Sequence, residues 1–403
     1  MPKLLVIFLT VLVDLIGFGI IIPLLPFYAE LPEFSATPLQ IGLLMAIYSL
    51  GQFIFSPLWG SLSDRHGRRP ILLFSIGMGA LSLAGFAMAK TLWMLFLARG
   101  LHGIFAANIS TAQAYIADIT PPDKRAMGMG MIGAAFGLGF TVGPWIGGEL
   151  STYSYTLPIW VAAGLSAINF LLALAILPES LDLSKGKPER GPKPLDPKSI
   201  NYVMTMPTVG ITIGLMFMVT FSFSMMTSSF ALYEERLYGL GPQEIGRLMG
   251  IIGLIGVFVQ GFAIDKLTKR FGEEALIRLG VPLVGLGLLG FAFAGPTETS
   301  IVFSPLGAVC AFFAVVYGFT QPSMFSMISL RSPTEAQGLV MGINHSLSAL
   351  ARTIAPAIAL AMFGYIEPAA PFYAAAILLV FGAYIAQIAT RPPNSPRPVV
   401  ESA

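Results

Sequence analysis

Twelve apolar blocks, each about the length of a membrane crossing, constrain this 403-residue chain more than any other feature. They run over residues 4–29, 37–62, 71–89, 92–117, 126–148, 155–177, 204–233, 244–264, 278–295, 300–329, 336–362 and 370–390. A hydrocarbon core about 30 Å thick is crossed by roughly 20 apolar residues in a helix. Inside lipid every backbone N–H must be bonded within its own segment or within a closed barrel. A barrel would show short alternating strands, whereas these blocks are long and apolar throughout, so helices are predicted. Composition agrees: 55% of residues are apolar and 11% charged, less than half the roughly 25% charge of a soluble domain. The first block is too long for a signal peptide and no small-residue cleavage site follows it, so it is expected to stay as the first helix.

The net charge of +2 says little, but the placement of charge says more. With the N-terminus placed inside, only Lys90, Arg236 and Arg247 of the 23 lysines and arginines fall on the outer side, and Arg99 and Arg352 fall within spans. The rest are cytoplasmic. That bias places both termini in the cytoplasm of a multi-pass protein of the cell (inner) membrane. The single cysteine, Cys310, lies in a span, and the three histidines sit on separate segments, so neither a disulfide nor a metal site is expected. No phosphate-binding glycine loop is present, and the acids and bases show no nucleophile–base pair. An ATP-driven pump and an enzyme are both disfavoured.

The segment from Pro178 to Val203 is rich in proline, lysine and arginine and reads as a cytoplasmic linker. It separates residues 1–177, a bundle of six helices, from residues 204–390, another six, with 391–403 as a cytoplasmic tail. The halves echo each other. Pro38-Leu-Gln-Ile-Gly42 opens the second block and Pro242-Gln-Glu-Ile-Gly246 the eighth; Gly60-x-x-x-Asp64 closes the second and Gly261-x-x-x-Asp265 the eighth. Asp123, Gly130 and Pro144 recur at Glu335, Gly342 and Pro356, each 212 positions on. Such weak internal symmetry marks a secondary transporter with its substrate site at the midplane between the halves.

Several residues carry chemistry. Asp14, Arg99 and Arg352 lie deep in spans, Asp14 roughly 15 Å in at 1.5 Å per residue. Burial raises a carboxyl pKa and a nearby cation lowers it, so Asp14 is suited to take and give up a proton; a permanent structural pairing is the alternative. A mid-span arginine costs at least about 2.5–3.5 kcal/mol and needs a partner, whether a coupling group or backbone carbonyls. Arg99, His102, Ala106, Ser110 and Gln113 fall on one helical face that should line a cavity. Gln52, Asn108, Gln260, Gln321, Asn344 and His345 are polar groups within spans that either bind substrate or bridge helices. Phe230 closes an aromatic and methionine-rich stretch of the seventh helix that suits apolar ligands, or serves as packing bulk.

The loop Gly60-Ser-Leu-Ser-Asp64-Arg65-His-Gly67-Arg68-Arg69-Pro70 resembles the signature loop of the major facilitator superfamily. The resemblance implies a cytoplasmic latch near the start of the eleventh helix, with Asp118 expected to pair with Arg65, Arg68 or Arg69. Gly139-Phe-Thr-Val-Gly143-Pro144-Trp-Ile-Gly147-Gly148 allows close helix packing. It also resembles the antiporter signature of that family's drug-exporting branches. From Leu12 to Glu179 the chain looks most like the bacterial tetracycline-efflux group, through Asp14, Tyr48-x-x-x-Gln52, Ala114-Tyr-Ile-Ala-Asp118-Ile-Thr and Leu177-Pro-Glu-Ser180. Arg99 and Gly103 resemble the superfamily's proton-coupling segment, with His102 where a glutamine is usual, and His102-Gly-Ile-Phe-Ala-Ala-Asn-Ile-Ser-Thr departs from the tetracycline group's Gly/Ala-rich run with threonine.

The resemblance implies an all-α fold of twelve transmembrane helices, in two bundles each of 3+3 inverted repeats, working as a monomer in the bilayer. The predicted activity is proton-coupled efflux of amphipathic drugs or metabolites by alternating access. Asp14 and Arg99 would handle the proton, the gradient would replace any cofactor, and no nucleic acid would be involved. The alternative is a proton symporter or facilitator for a sugar or small organic anion, with Arg99 and Arg352 on a carboxylate.

Overall fold

The computed structural model describes residues 3–120, 125–181, 196–297, 301–333 and 336–390. The first six crossings are α1 (Lys3–Glu30), α2 (Pro38–His66), α3 (Arg68–Ala87), α4 (Leu92–Ile119), α5 (Arg125–Ser151) and α6 (Leu157–Ile176). A short helix, Pro197–Met204, precedes α7 (Val209–Tyr238). The helical run Pro242–Phe291 makes two crossings, because Gly272 has φ 76° and breaks it into α8 before and α9 after. Then follow α10 (Pro305–Arg331), α11 (Gln337–Tyr365) and α12 (Ala370–Ala389).

Two stretches are more helical than the sequence suggested. The charged connection 265–277 continues α8 and α9 past their apolar blocks, since its lysines, arginines and glutamates are good helix formers. The end of the linker forms the short helix, started by Pro197 at its first turn and held by the buried Val203. Linker residues 182–195, the tail 391–403, and Asp123 and Glu335 of the internal echo lie outside the described residues.

The two halves pair their helices alike. In the first, α1 lies along α5 and α6, α2 along α4, and α3 along α6. In the second, α7 lies along α11 and α12, α8 along α10, and α9 along α12. The halves meet where α5 crosses α8 and where α2 crosses α11. This exchange of equivalent helices gives the molecule a central seam. The membrane face carrying the signature loop is called the basic face below.

The repeated Pro-x-x-Ile-Gly motif has a physical reason. At the start of α2 the Gln40 side chain accepts the Thr37 N–H (2.8 Å); at the start of α8 Glu244 accepts the Gly241 N–H (3.0 Å). Proline at the first turn loses no helical bond, and the glutamine or glutamate closes the cap. The glycine that follows is placed for close contact across the seam.

Candidate functional site

At the centre of the seam Tyr48 of α2 gathers the deep charges. The Arg99 guanidinium carbon sits 4.3 Å from the Tyr48 ring centroid and 5.9 Å from that of Phe18. This cation–π placement partly compensates a desolvated arginine. Phe18, one turn beyond Asp14, stacks on Tyr48 at 5.0 Å, and the His102 ring lies tilted 5.2 Å from the Tyr48 ring. Gln52 donates from Nε2 to the Tyr48 hydroxyl (3.1 Å) and to the Ala106 carbonyl (3.3 Å). Asp14 from α1 and Arg352 from α11 both lie within electrostatic reach of Tyr48. One carboxylate and two arginines, Arg99 from the first half and Arg352 from the second, therefore act electrostatically on a single phenol.

Tyr48 was not among the expected site residues. The signal was present: Tyr48 and Gln52 are one helical turn apart, as are Asp14 and Phe18, so each pair shares a face. The α4 stripe is only partly cavity-facing. Arg99 and His102 reach Tyr48, whereas Ala106 and Ser110 lie against α2, Ser110 donating to the Ser56 carbonyl (3.0 Å). The cause is a 3-10 turn at Ala106–Asn108 together with Gly103, where a Cβ would meet the Tyr48 backbone. Gln113 is half-buried beyond this turn, and the Asn108 side chain lies outside the described residues.

In the second half Arg352 lies within reach of Tyr317 as well as Tyr48, and His345 within reach of Arg352. Both Arg352 and His345 are exposed although they lie mid-helix, so they face open space between the halves. Tyr317 stacks on Phe223 at 4.4 Å, and His345 lies 6.1 Å from the Phe325 ring. Asn344 is buried with neither side-chain polar atom partnered, and Gln321 is half-buried. Gln260 is exposed within a π-helical turn of α8, Val259–Ala263, a distortion that recurs at functional sites. Phe230 is not brought to the centre. It is fully buried and packs edge-on against Phe291 of α9 at 5.4 Å, so its ring is used in the core of the second bundle.

On the basic face the loop after α2 is bound to its own half. Arg68 pairs with Asp64 (2.5 Å) and, through Nε, with Asp118 (3.0 Å), the pairing expected for Asp118. Gly67 has φ 97°, which favours glycine, and a Cβ there would collide with Glu179. Glu179 accepts the Arg68 and Arg69 N–H groups (2.9 and 3.1 Å), an anion at the N-terminus of α3. Glu179 was missed as a holder of this loop. Arg69 donates to the carbonyls of Leu177 and Leu174, while Arg65 is exposed.

The opposite face is closed. Gly246 of α8 approaches Pro144 and Gly148 of α5, and Gly42 of α2 approaches Pro356 of α11. Glu149 takes Arg247 (2.6 Å) and Gln243 (2.8 Å) across the same seam, and Arg236 reaches Glu30 (3.4 Å). The glycine-rich end of α5 is thus split in use. Gly139, Gly143 and Gly147 pack on Leu15, Gly19 and Ile20 of α1 inside the first bundle, while Pro144 and Gly148 meet α8. Several glycines nearer the basic face make no such contact. A Cβ at Gly133, Gly256, Gly261 or Gly338 would meet nothing within 4 Å, and one at Gly60 only Ser110 of its own half, at 3.9 Å. Among the described residues no ion pair joins the halves on the basic face, and Asp64 is paired in its own loop.

The description Major Facilitator Superfamily matches residues 7–356. The chain belongs to this superfamily. It is 32% identical over 365 residues to the class C tetracycline resistance protein of Escherichia coli, covering 89% of each chain. With the class E protein of the same organism it shares 33% over 365 residues, 88% of this chain and 85% of the other. The crystal structure of the human organic anion transporter MFSD10 (TETRAN) superposes with a TM-score of 0.71 at 24% identity, covering 96% of this chain and 100% of that one, a likeness of fold alone. The protein is a multi-pass membrane transporter of small molecules, and its relatives are transporters rather than enzymes.

One buried acid of this transporter lies outside the centre. Glu234, one turn after Phe230 in α7, is fully buried with neither carboxyl oxygen partnered. A buried polar group without partners costs about 1–3 kcal/mol. Glu234→Met is expected to raise the melting temperature of the purified protein by a few degrees. A fall of similar size would show that the carboxyl is held by a contact.

Proposed function

We propose that the protein exports amphipathic small molecules from the cytoplasm in exchange for protons. The basic face is then cytoplasmic, both termini lie inside, the membrane is the inner one, and a monomer suffices. Energy comes from the proton gradient with no cofactor; one proton moving down 100 mV supplies about 2.3 kcal/mol. The observation that carries this reading is the convergence of Asp14, Arg99 and Arg352 on Tyr48, with the halves in contact on the face opposite the signature loop. The similarity to tetracycline resistance proteins supports export as the direction.

Each part has a role in the cycle. Substrate enters between the halves from the cytoplasm and rests beside Phe18, which covers the buried Tyr48. A change in the charge of Asp14 alters the field at Tyr48 and at Arg99, which stands over the same ring. The signature loop then bridges the halves on the cytoplasmic side while the Gly246–Pro144 and Gly42–Pro356 contacts part. In everted vesicles, energised dye efflux is expected to collapse on adding a protonophore. Asp14→Asn should remove energised transport at least tenfold while sparing downhill exchange. Full energised transport by Asp14→Asn would end the assignment of Asp14 to proton coupling.

A further inference from the structure

We propose that Glu234 is a proton-binding site that must be loaded before the face opposite the signature loop can close. The transport centre makes no use of this acid. Glu234 lies one turn before the end of α7 at Tyr238, on the closed face. It is fully buried, and neither carboxyl oxygen has a hydrogen-bond partner among the described residues.

The surroundings are apolar and offer no counter-charge. Phe230, one turn earlier, packs on Phe291 of α9 at 5.4 Å, and the neighbouring Tyr233 packs on Phe372 of α12 at 4.8 Å. The titratable groups within electrostatic reach of the carboxyl are Tyr233, Tyr238 and the buried Cys310 of α10. None is a cation, and the Tyr233 hydroxyl already donates to the Ala292 carbonyl (2.9 Å). Glu367 and Tyr373 reach Tyr233 from the start of α12, and they bring no positive charge either. Arg236 is two residues on, so it does not share the Glu234 face of the helix. It turns across the seam to Glu30 of α1 (3.4 Å) and over the Phe363 ring of α11 (4.7 Å), and Glu235 acts on that same Glu30. A carboxylate stripped of water, with no donor and no cation, is far more costly than the neutral acid. In the closed arrangement Glu234 therefore holds its proton.

The same helix end belongs to the seam. Parting the halves on this face breaks the Arg236–Glu30 pair and brings water to the last turn of α7. A hydrated glutamate is ionised at neutral pH, so closing requires the proton to be taken back. The closed form then binds one proton more than the open form. A fall in pH favours closing and a rise favours opening, by at most about tenfold per pH unit for one proton. Glu234 is loaded and discharged on the same face, so it moves no net proton across the membrane and leaves coupling to Asp14. This linkage needs neither a gradient nor a substrate, so it stands or falls apart from the export reading.

The test uses the full-length protein in neutral detergent without substrate. Nitroxides on Tyr153→Cys and Tyr365→Cys, both exposed on the closed face, report the two populations by pulsed distance measurement; the native Cys310 is buried and stays unlabelled. Raising the pH from about 6 to about 9 should lower the closed-to-open ratio at least about tenfold. The dependence should persist in Asp14→Asn, where the coupling acid is absent, and vanish when Glu234→Gln is added. Glu234→Met, which removes the carboxyl altogether, should act as Glu234→Gln does. Infrared difference spectra of the unsubstituted protein against Glu234→Gln at neutral pH should show the carbonyl stretch of one protonated carboxyl. A ratio that does not move with pH, a dependence that survives both Glu234 substitutions, or the absence of that infrared band would each overturn the proposal.

Discussion

Gly246→Leu is expected to leave the transporter folded but unable to close the face opposite the signature loop. A Cβ at Gly246 would lie 2.5 Å from the Pro144 carbonyl oxygen and 2.9 Å from the Gly148 Cα. These are backbone atoms of α5 in the other half, so no side-chain rotation relieves the clash. The helices must separate, and the apolar cluster that runs across both halves must part at that point. Overpacking costs roughly 1–3 kcal/mol, which shifts the balance between closed and open by about 5- to 150-fold. Gly42→Leu should behave alike, since its Cβ would stand 2.6 Å from the Pro356 carbonyl oxygen. Spin labels at the exposed Tyr153 and Tyr365, on that same face of the two halves, should report a longer distance, and transport should fall at least tenfold. Wild-type transport with an unchanged distance would mean that this contact is not the gate.

Gly143→Val should fail differently, by damaging the first bundle itself. A Cβ at Gly143 would lie 2.7 Å from the Gly19 Cα and 2.8 Å from the Ile16 carbonyl oxygen, both in α1. The flanking Gly139 and Gly147 meet α1 in the same way, so α1 and α5 touch along backbone for two turns. Separating them strips packing from the most extensive helix pair of the first half. The expected result is a drop in melting temperature of more than about 5 °C or loss of folded yield. Gly164→Ala is the control, since a Cβ there meets nothing within 4 Å; it should be neutral or slightly stabilising. The two glycines lie a short distance apart on facing helices, and melting against transport separates their roles.

Much of the fold was legible because lipid allows few backbone solutions. Long apolar blocks must be helices, and repeated Pro-x-x-Ile-Gly and Gly-x-x-x-Asp motifs show that the second six repeat the first. The deep charges were legible for the same reason: Asp14, Arg99 and Arg352 are costly in a span unless they serve something. Tyr48 and Tyr317 were not, because a tyrosine within a span is ordinary until its neighbours are known. Glu179 was hidden by a sequence distance of about 110 residues from the backbone it binds. Phe230 misled because an aromatic, methionine-rich stretch looks the same whether it lines a cavity or fills a core.

The charged positions and the glycine–proline echo are properties of the sequence alone: residue type and spacing fix which side chains lie deep and which helix surfaces are smooth. Partnership is not. Gly42 and Gly246 could have met prolines of their own half, and Gly143 and Gly148 share one motif yet serve different interfaces. Only the exchange of α2 against α11 and α5 against α8 decides that Gly246 meets Pro144 and Gly42 meets Pro356. That same crossing brings Arg352 within reach of a tyrosine of the other half. The physical reason is that helix propensity and hydropathy act along the chain, whereas contact between helices depends on how two bundles turn toward each other.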